Sequence, residues 1–346
     1  MVGARGMGSA MATPMTRSSP SIPAGAEEFL HSHGWADARI EPLAGDASFR
    51  RYFRVHLEGG RAILMDAPPP HEDPRPFVEV ARWLTDRAFT APTIHALDLE
   101  RGFVLLQDFG DARMREAIDD DPAVTLPLYE AAVDLLVALR GHPPGELRRY
   151  DRAELQREAA LLTEWYCPAV GVAVDVEGYA AAWDAVLGRA DAQVPVTVLR
   201  DYHAENLMLI GPERTLGLLD FQDALAGHPA YDLVSLLQDA RRDVDPTLEE
   251  LMLTRYRAAT GEGDAFMDAY HVLGAQRNAK IIGIFTRLWR RDGKQRYPGL
   301  CPRVWSYLER DLSHSALAPV ARWFAANLPP EWRGDPMVIA AAKGLS

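Results

Sequence analysis

The sequence lacks most of the features that would place it in a specialised class of protein. It has only two cysteines, Cys167 and Cys301, and their separation fits neither a disulfide framework nor a metal-ligand spacing. The formal net charge is −12, which argues against nonspecific nucleic-acid binding and against a polybasic membrane surface. No apolar run has the length needed to span a bilayer, and the N-terminus lacks the apolar core of a signal peptide. We therefore expect a soluble, cytoplasmic protein.

Several common enzyme motifs are also missing. The chain has no internal repeat, no Walker phosphate-binding loop, no dinucleotide-binding glycine motif and no serine-centred nucleophile elbow. Its length of 346 residues exceeds the usual limit for one hydrophobic core, so we expect two lobes.

The most informative segment is a predicted β-hairpin in the second half of the chain. Two apolar runs, residues 207–210 and 216–219, flank a turn that contains Gly211 and Pro212. Short apolar runs on either side of glycine and proline are typical of a hairpin. Such an element would hold the residues at its open end close together.

Three polar side chains flank this hairpin. Asp201 and Asn206 lie on the entering loop, and Asp220 follows the second strand. Asn206 and Asp220 suit a hard cation such as Mg²⁺, which takes one or two carboxylates together with substrate phosphate oxygens. Asp201 is then left to accept the proton of an attacking hydroxyl, as phosphoryl transfer requires. A single Asp, Asn or His on a loop is usually a turn former, so the spacing of all three favours catalysis.

The motif resembles the catalytic segment of the aminoglycoside phosphotransferase family, whose members are relatives of the protein kinases. The shared pattern is Asp-x-His-x-x-Asn over residues 201–206, a hairpin, and Asp-Phe at residues 220–221. A longer string within residues 220–239 is similar to the branch that phosphorylates the anomeric hydroxyl of N-acetylmuramate and N-acetylglucosamine in bacterial cell-wall recycling. The resemblance covers roughly residues 40–300.

The resemblance implies an α+β fold, bilobal and protein-kinase-like. A small N-terminal lobe, mainly antiparallel sheet plus one helix, would occupy residues 25–108 and bind nucleotide. A larger, mostly helical lobe over residues 109–346 would carry the catalytic and substrate groups, and ATP would lie in the cleft between the lobes. Residues 1–24 are rich in small and polar residues, so we expect a disordered tail there.

The resemblance also assigns roles to individual residues. Asp201 would be the catalytic base, and Asn206 and Asp220 would hold Mg²⁺. His203 and Asp223 are candidates in the substrate region, the first as a support of the loop and the second as a support of the metal site or a turn cap. The candidates for binding ATP come from two segments. The first is a turn of small residues, a pattern that is also common in surface turns, and it contributes Ser48, Phe49, Arg50 and Arg51. The second is the segment that links the lobes, and it contributes Gln107, Asp108 and Phe109.

The sequence departs from the general family pattern at its third predicted strand. Most relatives place a lysine there to hold the α- and β-phosphates, whereas this chain has Met65 and Asp66. The anomeric sugar kinase branch also lacks that lysine. We expect one of Arg50, Arg51 and Arg54 to replace it.

A predicted helix over residues 276–294 is unusually basic for an acidic chain. Its periodicity places Arg277, Lys280 and Arg287 close to one face. A run of charges is most often a solvated face. A substrate carboxylate, such as the lactyl group of N-acetylmuramate, would nevertheless need a cation here or nearby. We therefore keep these three residues as candidate substrate contacts.

Two other functions remain open. The chain could carry out the same chemistry on another small alcohol, such as an aminoglycoside or choline, although the basic helix counts against a cationic acceptor. It could also be a nucleotide-binding scaffold without catalysis, as the missing lysine suggests. The intact set of Asp201, Asn206 and Asp220 counts against that alternative, because a scaffold has no physical need for all three. The sequence does not identify the preferred sugar or the oligomeric state, and it indicates no obligate protein partner.

Overall fold

The computed structural model describes residues 21–43, 50–191 and 194–345. The chain divides into two compact units. Of the described residues, the first unit contains those up to Asp73 together with Ile94–Asp108, and the second contains Pro74–Thr93 and those from Phe109 onward.

The first unit is an antiparallel sheet with one helix. Its strand order is β1-β2-β3-β5-β4, with β1 (Arg39–Pro42), β2 (Arg51–Leu57), β3 (Gly60–Asp66), β4 (Ile94–Asp98) and β5 (Phe103–Gln107). Helix α1 (Ala26–Ser32) buries Phe29 and Leu30 in one core with Phe53 and Val55 of β2. Residues two apart on a strand share a face, and each such buried side chain contributes roughly 2 kcal/mol.

The second unit is mostly helical. Its helices are α2 (Arg75–Thr85), α3 (Met114–Asp120), α4 (Thr125–Arg140), α5 (Arg152–Ala159), α6 (Cys167–Val170), α7 (Val176–Asp191), α8 (Ala230–Leu237), α9 (Pro246–Thr260), α10 (Asp264–Arg290), α11 (Cys301–Leu312), α12 (Ala318–Asn327) and α13 (Pro336–Ala342). Local signals define the ends of α9: the Asp245 side chain accepts the Thr247 N–H at 2.8 Å, Pro246 is the first residue, and Gly261 ends the helix with φ 73°. The five-stranded sheet and the helical second unit agree with the predicted fold class.

Two short strand pairs in the second unit organise the segment of interest. Strand β6 (Val196–Val198) pairs antiparallel with β9 (Leu225–Gly227) and thereby closes the segment between them into a loop. Within that loop, β7 (Leu207–Ile210) pairs antiparallel with β8 (Thr215–Leu218). The predicted hairpin is therefore confirmed.

Helix α5 is followed by a change of helix type. It ends at Ala159, and a π-helical turn follows over Leu162–Tyr166. This turn lies where α10 passes very close: a Cβ added to Gly283 would be 2.4 Å from the Leu161 carbonyl oxygen. This close contact involves a partner too distant in sequence for a local pattern to report.

The stretch Pro122–Arg140 is long and apolar enough, by length and composition alone, to cross a membrane, contrary to the expectation from the sequence. It includes α4, which packs against α9 and buries Leu128 and Leu136. Arg255 of α9 donates to the carboxylate of Asp134 at 2.7 Å. This packing is that of an amphipathic helix at the edge of a protein core.

Candidate active site

The hairpin brings Asn206 and Asp220 to the same end of β7 and β8. Leu207 is aligned with Leu218, and the Leu219 N–H donates to the Asn206 carbonyl at 3.0 Å. This bond extends the ladder by one step, so Asn206 lies across from the residue that precedes Asp220. Asp220 has φ 57°, a left-handed conformation that costs a non-glycine residue about 1 kcal/mol or more.

The amide of Asn206 is oriented by Asp201. Its nitrogen donates to the Asp201 carbonyl oxygen at 2.9 Å and lies 3.4 Å from Nε2 of His203. The amide oxygen is therefore left for another partner. With the exposed Asp220 carboxylate, this oxygen provides the donor set that a hard cation prefers. The described residues contain no group of three or more His, Cys, Asp or Glu side chains placed to hold a metal ion, so a cation here would take its other ligands from phosphate and water.

The hairpin rests on aromatic side chains of the same unit. Phe221 is fully buried and stacks on Phe77 of α2, with ring centroids 4.9 Å apart. A Cβ added to Gly217 of β8 would be 2.8 Å from the ring of Phe109, so glycine permits this close approach. Phe109, a predicted nucleotide contact, therefore packs on this hairpin.

His203 is a buried support of the loop. Its Nε2 lies 3.3 Å from Nη1 of Arg241 and faces the Asn206 amide nitrogen, two donors that assign Nε2 as an acceptor. Burial, reinforced by the Arg241 charge, lowers the pKa of His203 to about 3, although Asp239 acts in the opposite direction. The ring is neutral at physiological pH, which fits the predicted supporting role.

Asp232 of α8 ties that helix to the loop. Its carboxylate accepts the Leu199 N–H at 2.7 Å and the Arg200 N–H at 2.9 Å. Burial raises the pKa of Asp232 to about 7, against these two N–H groups, which favour the ionised form. The neighbouring turn is held by Gln222, whose amide donates to Asp220 at 2.9 Å and to Asp223 at 3.3 Å.

The basic helix is α10, but two of its three candidate residues are buried. Arg277 donates to the Ser235 hydroxyl at 2.8 Å, and the Lys280 ammonium lies 2.9 Å from the Glu158 carboxylate. Neither belongs to a solvated face. Arg287 is partly exposed, and its buried Nε has no hydrogen-bond partner among the described residues. Burial lowers the pKa of Arg287, and the nearby Arg291 adds to this effect.

The candidate ATP contacts in the first unit are held by ion pairs. Ser48 and Phe49 lie outside the described residues. Arg51 pairs with Asp66 across β2 and β3 at 2.6 Å, and Arg50 lies 3.7 Å from Glu72. The buried Asp108 carboxylate contacts Arg54 at 2.8 Å and Arg61 at 3.1 Å, and Gln107 ends β5.

The sequence reasoning missed the partners of the loop's own charged residues. Glu205 is clamped between Arg115 and Arg241, and Arg200 contacts Glu158. No local signal reports these pairs, because Arg115, Arg241 and Glu158 are all remote in sequence from the loop residues that they contact.

A comparison with known protein families shows to which family the chain belongs. Residues 39–270 match the model of the phosphotransferase enzyme family. The chain belongs to this family. The predicted family is thus confirmed, and the chain is a phosphotransferase.

Curated members of the family resemble most of the chain. The N-acetylmuramate/N-acetylglucosamine kinase of Caulobacter vibrioides is 38% identical over 354 residues, which cover 88% of this chain and 96% of that protein. The protein of the same name from Pseudomonas aeruginosa is 40% identical over 299 residues, covering 82% and 87%. Among solved structures, choline kinase LicA from Streptococcus pneumoniae has a TM-score of 0.59 at 15% identity, covering 84% of this chain and 97% of that one. This last likeness confirms the kinase-like fold.

Proposed function

We propose that this chain is an ATP-dependent kinase that phosphorylates the anomeric hydroxyl of N-acetylmuramate, N-acetylglucosamine or both, in cell-wall recycling. The observation that carries the proposal is the hairpin geometry: the Asp201 carbonyl orients the Asn206 amide, and Asn206 pairs with the residue before Asp220. In this proposal the proton acceptor lies on the loop that enters the hairpin, and the two oxygen ligands lie at the hairpin's open end. The names of the Caulobacter and Pseudomonas relatives support the choice of sugar.

Asp201 takes the central chemical role in this proposal. Its carboxylate accepts the proton of the sugar hydroxyl while that oxygen attacks the γ-phosphorus of ATP, and ADP leaves with the electrons of the broken P–O bond. Asn206 and Asp220 would hold Mg²⁺, which when bound neutralises charge on the phosphate oxygens. Neutral His203 keeps the Asn206 amide in place and transfers no proton.

We assign ATP binding to the predicted N-terminal lobe, residues 25–108, and to Phe109. Arg51 is our candidate for the role of the missing lysine. Its side chain is 38% exposed, whereas that of Arg54 is 14% exposed and contacts the buried Asp108. A cation that meets phosphate must reach solvent-accessible space, and Arg51 satisfies this requirement best.

We assign the lactyl carboxylate of N-acetylmuramate to Arg287. Among the described residues, its buried Nε lacks a protein hydrogen-bond partner and its guanidinium makes no ion pair. A guanidinium in such surroundings gains from a carboxylate, which it binds through two parallel hydrogen bonds. We place the reaction in the cytoplasm, where the buried free thiols of Cys167 and Cys301 stay reduced.

A panel of acceptors tests the proposal. Purified protein is incubated with ATP, Mg²⁺ and each of N-acetylmuramate, N-acetylglucosamine, the methyl glycoside of N-acetylglucosamine, an aminoglycoside and choline, and products are detected by mass. We expect acid-labile monophosphates from one or both free sugars and none from the methyl glycoside, whose anomeric oxygen is blocked. Phosphorylation of the methyl glycoside, or of the aminoglycoside or choline alone, would overturn the anomeric assignment. Thermal stabilisation by ATP without transfer would indicate a scaffold.

A further inference from the structure

A buried charge cluster lies beside the loop of residues 199–206. Its centre is Glu158 of α5, whose side chain is 3% exposed. The Glu158 carboxylate contacts the Lys280 ammonium at 2.9 Å, the Arg200 guanidinium and the Tyr150 hydroxyl. Lys280 also donates to the Tyr231 hydroxyl at 3.3 Å. Two cations from distant parts of the chain therefore share one carboxylate away from water.

A second contact from α10 reaches the same place. Arg277, one turn before Lys280, donates to the Ser235 hydroxyl at 2.8 Å. Ser235 in turn donates to the Arg200 carbonyl oxygen at 3.0 Å. The two buried cations of α10 thus connect to one residue, Lys280 through Glu158 and Arg277 through Ser235.

Both backbone polar groups of Arg200 and its side chain make contacts. Its N–H donates to Asp232, its carbonyl accepts from Ser235, and its guanidinium contacts Glu158. Its φ is 69°, a left-handed conformation that a non-glycine residue keeps only when its surroundings determine it strongly. Arg200 immediately precedes Asp201, so the orientation of the proposed base depends on these contacts.

The two cations of the cluster keep Glu158 ionised. Burial alone would favour its neutral form, but Lys280 and Arg200 outweigh burial and hold the pKa of Glu158 below its usual value. With both cations charged, Glu158, Lys280 and Arg200 together carry one net positive charge, and the exposed Arg157 lies 4.0 Å from the same carboxylate. Removal of the carboxylate would leave the charges of Lys280 and Arg200 buried without their anionic partner, and such a change strongly destabilises the fold.

We propose that Glu158 and Lys280 are positioning residues that fix Arg200, and through it Asp201, and that neither of them meets the sugar. This inference rests on the proposed function. It gives Lys280 a role other than the substrate contact expected from the sequence. A positioning role predicts an equal loss of kcat for both sugars, whereas a carboxylate contact predicts a higher KM for N-acetylmuramate alone.

The test compares Lys280→Met, Lys280→Arg, Glu158→Gln and the double variant Glu158→Gln/Lys280→Met in the full chain. Steady-state kcat and KM are measured for ATP and both sugars, and kcat is divided by the number of ADP-binding sites, so that unfolded protein does not count. Arg290→Met, an exposed change on the same helix, is the control and should match wild type.

We expect Lys280→Met to lower kcat about tenfold for both sugars with KM within about twofold, and Lys280→Arg to retain more activity. Glu158→Gln should lose about a hundredfold, and the double variant should recover part of that loss because it restores the net charge of the cluster. Should Glu158→Gln fail to fold, the two Lys280 variants, which keep Glu158 paired with Arg200, carry the test.

Two results would overturn the inference: wild-type kcat per binding site in Lys280→Met, or a rise in its KM for N-acetylmuramate alone. Wild-type protein that phosphorylates neither sugar overturns the proposed function instead, so the two failures are distinguishable.

Discussion

The carboxylate of Asp232 accepts a hydrogen bond from the backbone N–H of Leu199, 2.7 Å away. Its other oxygen accepts from Arg200 at 2.9 Å, so one side chain of α8 pairs two consecutive backbone groups before Asp201. A buried N–H that loses its partner costs about 1–3 kcal/mol. Helix α8 and the loop therefore hold their positions together.

This contact predicts the effect of Asp232→Ala. Two N–H groups lose their acceptor, so the free energy of unfolding should fall by about 3 kcal/mol, and kcat should fall at least about tenfold because Asp201 loses its fixed backbone. Urea denaturation and initial rates provide the measurements. Asp184→Ala, at an exposed site on α7, should change neither the free energy of unfolding nor kcat by much. A stable Asp232→Ala protein with normal kcat would contradict the role.

Arg287→Met tests the proposed carboxylate contact. Methionine keeps most of the apolar stem but removes the charge, so KM for N-acetylmuramate should rise about tenfold while KM for N-acetylglucosamine stays nearly constant. The two sugars measured side by side on one preparation serve as mutual controls. An equal change for both would remove the assignment.

His228 predicts a pH dependence of stability. Its buried Nδ1 accepts the Ala230 N–H at 3.1 Å, and burial, followed by the Arg140 charge, lowers the pKa of His228 to about 4 from an ordinary value near 6.5. The unfolded chain therefore binds more protons between these values, and stability falls as pH falls from about 6.5 to about 4. The contribution is at most about 1.4 kcal/mol per pH unit.

His228→Asn isolates this effect, because asparagine keeps an acceptor for the Ala230 N–H but does not titrate. Urea unfolding at pH 7, 6 and 5 should show a shallower loss of stability in the variant than in wild type. Parallel curves of stability against pH would show that His228 does not contribute to the pH dependence, since the carboxylates titrate alike in both proteins.

The sequence was sufficient where the cause of the structure is local. The hairpin follows from two apolar runs around Gly211 and Pro212. The polar residues at the hairpin end could be named because strand pairing determines which residues lie opposite each other.

Contacts between distant parts of the chain could not be predicted in this way. Arg277 and Lys280 resemble a solvated helix face, because the sequence does not reveal that Ser235 and Glu158 lie opposite them. The close approach of Gly283 to Leu161, beside the π-helical turn after α5, similarly joins residues far apart in the chain. In each case the decisive partner is remote in sequence.

The central claim is that Asp201 is the base that accepts the sugar proton. Asp201→Asn retains the shape of the side chain and the carbonyl that orients Asn206, so nucleotide should bind with nearly the wild-type Kd. Loss of the proton acceptor should lower kcat by about a hundredfold to ten-thousandfold. Single-turnover transfer from ATP to N-acetylmuramate, measured with ADP binding on one preparation, is the most direct test. Intact binding with transfer nearly abolished is the predicted result, and transfer at the wild-type rate would contradict the account.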